Sequence, residues 1–412
     1  MSIDNDLNEC QDIYFTNAQF IFRSYLFPFT YLFGLISNTI NIFVFTQKSM
    51  RNQPVNWFFL ALSVSDLITL VSSFFVFSVP VYAETMGDTD YIQMSVHLIV
   101  WFYPLAQTGL TMSVYVTILV SVHRYLGVCH PFLIRRISNS TAVKQIIIAA
   151  VVFAFVFNTS RWFELHSMPC FSKIHQSNSS AIQPTSMMLN HIYTLVYRNA
   201  AYQFVMFFLP FAILTYVNLR IIATLQQSYK MRREMTTSRV KKDSNTLVAT
   251  ETVLTKLEGY STTVVATLDT TAQHDRKENG VTIMLVAITT EFLLFNLIAF
   301  ANNIIELSNI RIFFSDVETV LVELSTFLVN VNGASTIVIY LIFGSKYRAV
   351  FIRLIQKYLR IKIGEDKKRP MYSQAHFETT QLLDNSARLD RSKQMSVLRR
   401  ADGSSVRSSR RD

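Results

Sequence analysis

The sequence predicts an all-α membrane protein: a seven-transmembrane helix bundle followed by a short amphipathic eighth helix. Three observations point there. Of the 412 residues, 50% are hydrophobic and only 16% charged, whereas about a quarter of a soluble domain is charged. Seven stretches are apolar and long enough, at about 20 residues, to cross about 30 Å of hydrocarbon as helices. The alternating pattern of a membrane barrel is absent, so helices must satisfy the backbone polar groups that lipid cannot. The stretches are Tyr25 to Phe45, Trp57 to Tyr82, Val96 to Val122, Gln145 to Phe163, Ala200 to Ile222, Val281 to Ile305 and Thr319 to Phe343.

The net charge of +10 is spread unevenly, which sets orientation. With the N-terminus outside, the inward connections carry Lys48 and Arg51, then Arg135, Arg136 and Lys144, then a cluster from Arg232 to Lys242. The outward ones carry Asp4, Asp6 and Glu9, then Glu84, Asp88 and Asp90, then Glu306, Asp316 and Glu318. No cleavable leader is expected, because the first apolar run follows an acidic stretch and is long enough to span. Cys10 and Cys170 then face the oxidising side, where they either pair or stay free, while Cys129 lies on the reducing side.

Residues 1–23 form a short polar N-terminal segment, and the bundle occupies 24–344. Span one contains Gly34 and Asn38, and span two contains Asp66, a carboxylate in an apolar run. Such a group is a functional candidate unless it merely anchors a neighbouring helix. Span three ends at His123, Arg124 and Tyr125. A charge at the bilayer centre costs about 2.5 to 3.5 kcal/mol, so Arg124 either snorkels to headgroups or has a task. Span four ends NTSRWFE over 158–164, placing Arg161 and Glu164 three apart, where they can pair with each other.

The loop from about Leu165 to Leu195 holds a glycosylation sequon at Asn178. Span five carries Pro210, which removes one helical hydrogen bond. A long third loop, 226–279, is rich in Ser and Thr, with helical extensions expected at its ends. Glu278 falls at the foot of span six and Glu291 unusually deep inside it. After Gly344, the apolar residues Tyr347, Val350, Phe351, Leu354, Ile355 and Tyr358 recur at helical spacing opposite Lys and Arg, which predicts an interfacial helix over 345–360 on anionic lipid. The basic, serine-rich remainder, 361–412, is expected to be a disordered tail.

The block Thr111 to Phe132, TMSVYVTILVSVHRYLGVCHPF, resembles the end of the third helix of rhodopsin-like (class A) G-protein-coupled receptors, and the Asn158 to Glu164 block is similar to that of invertebrate FMRFamide-type neuropeptide receptors. The resemblance implies a plasma-membrane receptor, not an enzyme, that partners a peptide ligand, a heterotrimeric G protein and arrestin as well as membrane lipids. It implies an activation set of His123, Arg124, Tyr125, Glu278 and Tyr340, with Glu278 bridging Arg124 at rest. It also implies a hydrated pocket of Asn38, Asp66, Ser113 and Asn332 able to hold a sodium ion, and no other cofactor. Ligand contacts are expected among Tyr103, Gln107, Glu164, Tyr202, Gln203, Asn302, Asn303, Glu306 and Glu323, whose acids suit an arginine-bearing peptide.

Several signature positions depart from that family. His123 replaces the usual acid, Thr336 and Ile337 stand where Asn-Pro is usual, Ile298 takes the kink proline's place, and the third-helix cysteine expected near Ile99 is absent. Ala106 stands where amine receptors carry Asp, and span seven has no lysine for retinal. A peptide therefore leads, with a divergent chemosensory receptor for a small molecule as the alternative. A transporter is disfavoured by only 10 Gly and no repeated half, and an intramembrane protease or hydrolase by the lack of HExxH and GxSxG.

Overall fold

The computed structural model describes residues 9–10, 14–137, 139–247, 282–305 and 315–362. Glu278, Glu306, most of the long third loop and the tail from 363 onward lie outside the described residues. Seven helices are long and apolar enough to cross a membrane: α1 (Asn17–Phe45), α2 (Val55–Met86), α3 (Thr89–Cys129), α4 (Ser140–Phe163), α5 (His191–Ser228), α6 (Thr282–Ile305) and α7 (Val317–Phe343). The chain is a multi-pass membrane protein. The helical course of α5 continues to Leu247, and a further helix, α8, covers Ser345–Lys362. The chain divides into two units, Met1–Leu354 and Ile355–Asp412, the second described only over the last turns of α8.

Local chemistry explains where the helices start and stop. Thr16 and Gln19 form a reciprocal capping box at the start of α1. Asp88 caps α3 through the Asp90 amide, and Asn139 caps α4, accepting from the Ala142 amide at 2.6 Å. Gly87 ends α2 at φ 69°, a left-handed cap that costs glycine nothing. Three prolines sit two residues beyond a widened, π-type turn: Phe22–Leu26 before Pro28, Phe74–Ser78 before Pro80, and Phe204–Phe208 before Pro210. A proline lacks the amide that would close the preceding turn, so the ladder slackens there. Pro104 lies inside α3 without interrupting it.

Burial runs opposite to that of a soluble protein. Large apolar side chains such as Phe29, Phe43, Ile148, Val156, Leu219 and Leu294 point outward, where lipid is the solvent. The polar residues Asn38, Asn41, Asp66, Ser113, Asn158 and Glu164 lie inside. The centre belongs to α3, 67% of whose most apolar window is enclosed against 17% for α4. It packs on α2, α4 and α5, while α1 packs on α2 and α7. Gly34 permits that last approach: a Cβ there would stand 2.5 Å from Leu70 Cδ1 and 3.0 Å from Ala334 Cβ.

An aromatic cluster closes one end, with Tyr340 fully buried and its ring 5.2 Å from Phe45 and 5.3 Å from both Phe59 and Tyr347. At the opposite end the α4–α5 connection is a hairpin, β1 (Leu165–Ser172) antiparallel to β2 (Ser177–Pro184). Its turn is completed by Gln176 at φ 51°. Cys10 and Cys170 are disulfide-bonded across 160 residues of chain, and the Cys10 amide donates to the Phe171 carbonyl at 3.1 Å. The two thiols whose pairing the sequence left open are thus joined, and Cys129 is free. Mass spectrometry after maleimide labelling of the unfolded chain is therefore expected to find only Cys129 modified before reduction and all three cysteines after it. Labelling of Cys10 without reductant would refute the pairing.

Candidate functional site

At the disulfide end, α2, α3, α5, α6 and α7 enclose a cavity of about 530 Å³, a size ordinary for ligand sites. Helical periodicity builds its walls. Ala106, Gln107, Leu110 and Val114 form one stripe of α3, and Glu318, Leu321, Val322, Ser325, Val329 and Asn330 form one stripe of α7. Phe77, Met206 and Phe207 give it apolar and aromatic surface, and Gln107, Asn296, Asn302, Asn303 and Asn330 give it neutral amides. Glu318 is its single acid among the described residues. Gln107, Tyr202, Asn302 and Asn303, all expected as ligand contacts, line this space.

A second cavity of about 250 Å³ adjoins it, sharing Gln107, Tyr202 and Asn303 and adding Tyr103, Gln203, Arg161 and Arg198. Behind its arginines lies Glu164, fully buried. Tyr193 donates to Glu164 Oε1 at 2.7 Å, and Tyr103 and Arg161 Nη1 donate to Oε2 at 3.2 and 3.3 Å. Arg161 also donates to the Tyr103 hydroxyl at 2.9 Å and lies over the rings of Tyr197 and Tyr202. The i,i+3 pair anticipated on span four is formed, on a final 3₁₀ turn over Thr159–Phe163. Asn158, from the same block, donates to Thr111 of α3 at 2.9 Å.

Glu323 is likewise occupied. Its carboxylate, 2% exposed, takes Arg23 Nη2 at 2.5 Å and Arg23 Nε at 3.0 and 3.2 Å, which ties α7 to α1. Neither Glu164 nor Glu323 lines the two cavities, and Glu306 lies outside the described residues. Glu318 is the acid that sequence reasoning passed over as a contact. Its signal was the α7 stripe: Glu318 is in phase with Leu321, Val322 and Ser325, whereas Glu323 is five residues on and faces α1.

Deeper in the bundle, Ser113 donates to Asp66 Oδ1 at 2.7 Å, while Asp66 Oδ2 is buried without a hydrogen-bond partner among the described residues. Asp66, Ser113 and Asn332 border a cavity of about 10 Å³, close to the least space a water needs. Asn38 stands apart from that cavity, donating instead to the Gly333 carbonyl at 2.8 Å. Ser335 donates to Glu291 Oε1 at 2.5 Å, the neighbour that the sequence left unnamed. At the far end, His123 packs on Phe58 with ring centres 5.5 Å apart, and the Tyr125 hydroxyl is 3.3 Å from His130 Nε2. Asn178 is exposed on β2.

Residues 37–339 match the model of the 7 transmembrane receptor (rhodopsin family). Among curated proteins, the chain is 21% identical over 357 residues to the FMRFamide receptor of Drosophila melanogaster, covering 84% of this chain and 57% of that receptor's own length. It is 23% identical to an FMRFamide peptide receptor of Caenorhabditis elegans, covering 79% of this chain and 67% of that one. A sex peptide receptor of Drosophila melanogaster is 25% identical over 54% of this chain and 52% of its own.

Breaking the Arg23–Glu323 pair by Glu323→Gln leaves a guanidinium without its counter-charge, a change that costs about 3 to 5 kcal/mol in buried pairs. A lowered thermal midpoint in detergent is expected, with substantial recovery when Arg23→Glu is combined with Glu323→Arg. A midpoint unchanged by Glu323→Gln would show that the pair contributes nothing.

Proposed function

From the chain's membership of the rhodopsin family of seven-transmembrane receptors, we propose that it is a plasma-membrane receptor for an extracellular amidated Arg-Phe-type neuropeptide, acting through a heterotrimeric G protein. Its N-terminus then lies outside and its C-terminus in the cytoplasm, as the charge asymmetry favours. The observation that carries this reading is the lining of the larger cavity: many neutral amides, aromatic walls and one carboxylate, Glu318. Side-chain amides complement a terminal carboxamide, the aromatic walls complement phenylalanine, and Glu318 complements a guanidinium. The similarity to FMRFamide receptors of two invertebrates agrees with this. A small apolar odorant of the chemosensory alternative would leave Glu318 and the amides of the lining without ligand partners.

On the same reading, ligand binding moves α6 outward and frees Arg124 for the G protein. Glu278 holds Arg124 at rest. Asp66, Ser113 and Asn332 fit a sodium ion, since a buried carboxylate oxygen without a partner borders a cavity of ion-like size. Beyond the spans, α8 lies on anionic lipid and the phosphorylated tail engages arrestin, while Asn178 carries the glycan.

Cells expressing the receptor and given Phe-Met-Arg-Phe-amide are expected to activate a G protein, and its free-acid form to be at least about 10-fold weaker. Glu318→Gln should weaken the amidated peptide by about 10- to 100-fold, the loss of one charge-assisted bond of about 1.5 to 3 kcal/mol. Equal potency of amide and acid, or a response only to an odorant panel, would refute this reading. Glu278→Gln is expected to raise ligand-free signalling several-fold, and exchanging the Arg124 and Glu278 charges to return it to baseline. Unchanged basal output in Glu278→Gln would count against the Arg124–Glu278 bridge.

A further inference from the structure

The smaller cavity holds more positive than negative charge. Arg161 and Arg198 both line it, and the one carboxylate near them among the described residues, Glu164, is bonded to Arg161, Tyr103 and Tyr193. Arg198 Nε stands 4.0 Å from Glu164 Oε2, too far for a hydrogen bond, and the side chain is 29% exposed. Arg161 is 4% exposed, yet its Nε–H has no acceptor among the described residues. One carboxylate between two guanidiniums leaves a surplus positive charge in a half-enclosed space, together with a buried donor awaiting an oxygen. Either feature alone has a structural explanation. Together they describe a site short of one anion.

Because Gln107, Tyr202 and Asn303 border both cavities, a ligand seated in the larger one can extend a side chain into the smaller. We infer that Arg198, supported by Arg161, forms an anion subsite that selects peptides carrying an Asp or Glu upstream of the amidated end. This deepens, and rests on, the peptide-receptor reading above. Glu318 and Arg198 then set two opposite charges about the ligand, an acid for its arginine and a base for its carboxylate. Planar guanidinium recognises a carboxylate through two donors at once, which an asparagine cannot reproduce.

Two N-acetylated probes test this on the full-length receptor: Phe-Met-Arg-Phe-amide extended at its amino end by one Asp, and the same peptide extended by Asn. Acetylation removes the amino charge, so the two differ only at the carboxylate. On the wild-type receptor the Asp form is expected to be at least 10-fold more potent. In Arg198→Gln that ratio falls to near one through loss of the Asp peptide's potency alone, and Arg198→Lys retains part of it. A wild-type ratio near one overturns the subsite without any variant, and so does a ratio that survives Arg198→Gln. Equal potency of a Phe-extended probe would assign the space to an aromatic ring stacking on Arg198, and would also overturn it. The unextended amidated peptide separates the two failures: its inactivity sinks the receptor reading, whereas its activity with no Asp preference sinks the subsite alone.

Discussion

A buried carboxylate in a lipid-embedded bundle has no bulk water to solvate it, so each must find a cation or hydrogen-bond donors within the protein. That constraint organises the disulfide end. Glu164 and Glu323, at the ends of α4 and α7, are both among the largest fully enclosed side chains, and each is held by an arginine from another part of the chain or the adjacent turn. The Arg23–Glu323 bridge fixes the start of α1 against α7. The Glu164 cluster fixes the end of α4 against α3, through Tyr103, and against α5, through Tyr193. These two clusters thus tie together five helices, of which α3, α5 and α7 wall the larger cavity, and the acids spent on structure leave Glu318 as the one acid its described lining presents.

The disulfide answers a related problem. With no cysteine near the start of α3, the hairpin cannot be tethered to that helix by a covalent bond. Cys10 takes the role from the N-terminal side, the Cys10 amide adds a weaker tie to the same strand, and the exposed Glu9–Lys173 pair, at 2.7 Å, adds one to the turn that follows it. The hairpin is held over the bundle at this end by chain that precedes α1, so the N-terminal segment becomes part of the site's frame.

Much of this was legible in sequence because membrane helices announce themselves through unbroken apolar length. All seven spans fall where composition places them, although α1, α3 and α5 begin at Asn17, Thr89 and His191, ahead of the expected Tyr25, Val96 and Ala200, where Thr16, Asp88 and Asn190 cap polar first turns. Partners were harder to read. Arg161 and Glu164 are three residues apart, so local periodicity exposes their pairing. Arg23 and Glu323 are 300 residues apart, and no local pattern joins them. The hairpin was also hidden: strands carrying Pro169, Cys170 and a run of serines lack the apolar-polar alternation that marks a half-buried strand.

The departures in α7 bear on how such a bundle can switch. Where related receptors place Asn-Pro, this chain has Thr336 and Ile337, and its helix runs without a proline from Ser315 to Phe343. An unbroken ladder resists local bending, because every turn keeps its backbone bond. Side chains supply the connections instead. Asn41 Nδ2 reaches Thr336 at 3.4 Å while Asn41 Oδ1 accepts from Tyr347 at 2.6 Å, joining α1 to α7 and to the start of α8. Glu291 accepts from Ser335 across the α6–α7 contact, and its other oxygen is buried without a partner. Separating α6 from α7 at this level breaks that bond and leaves Glu291 without the one side-chain donor it has. The packing of α6 on α7 is in this way tied to one acid that chain position alone marked as anomalous.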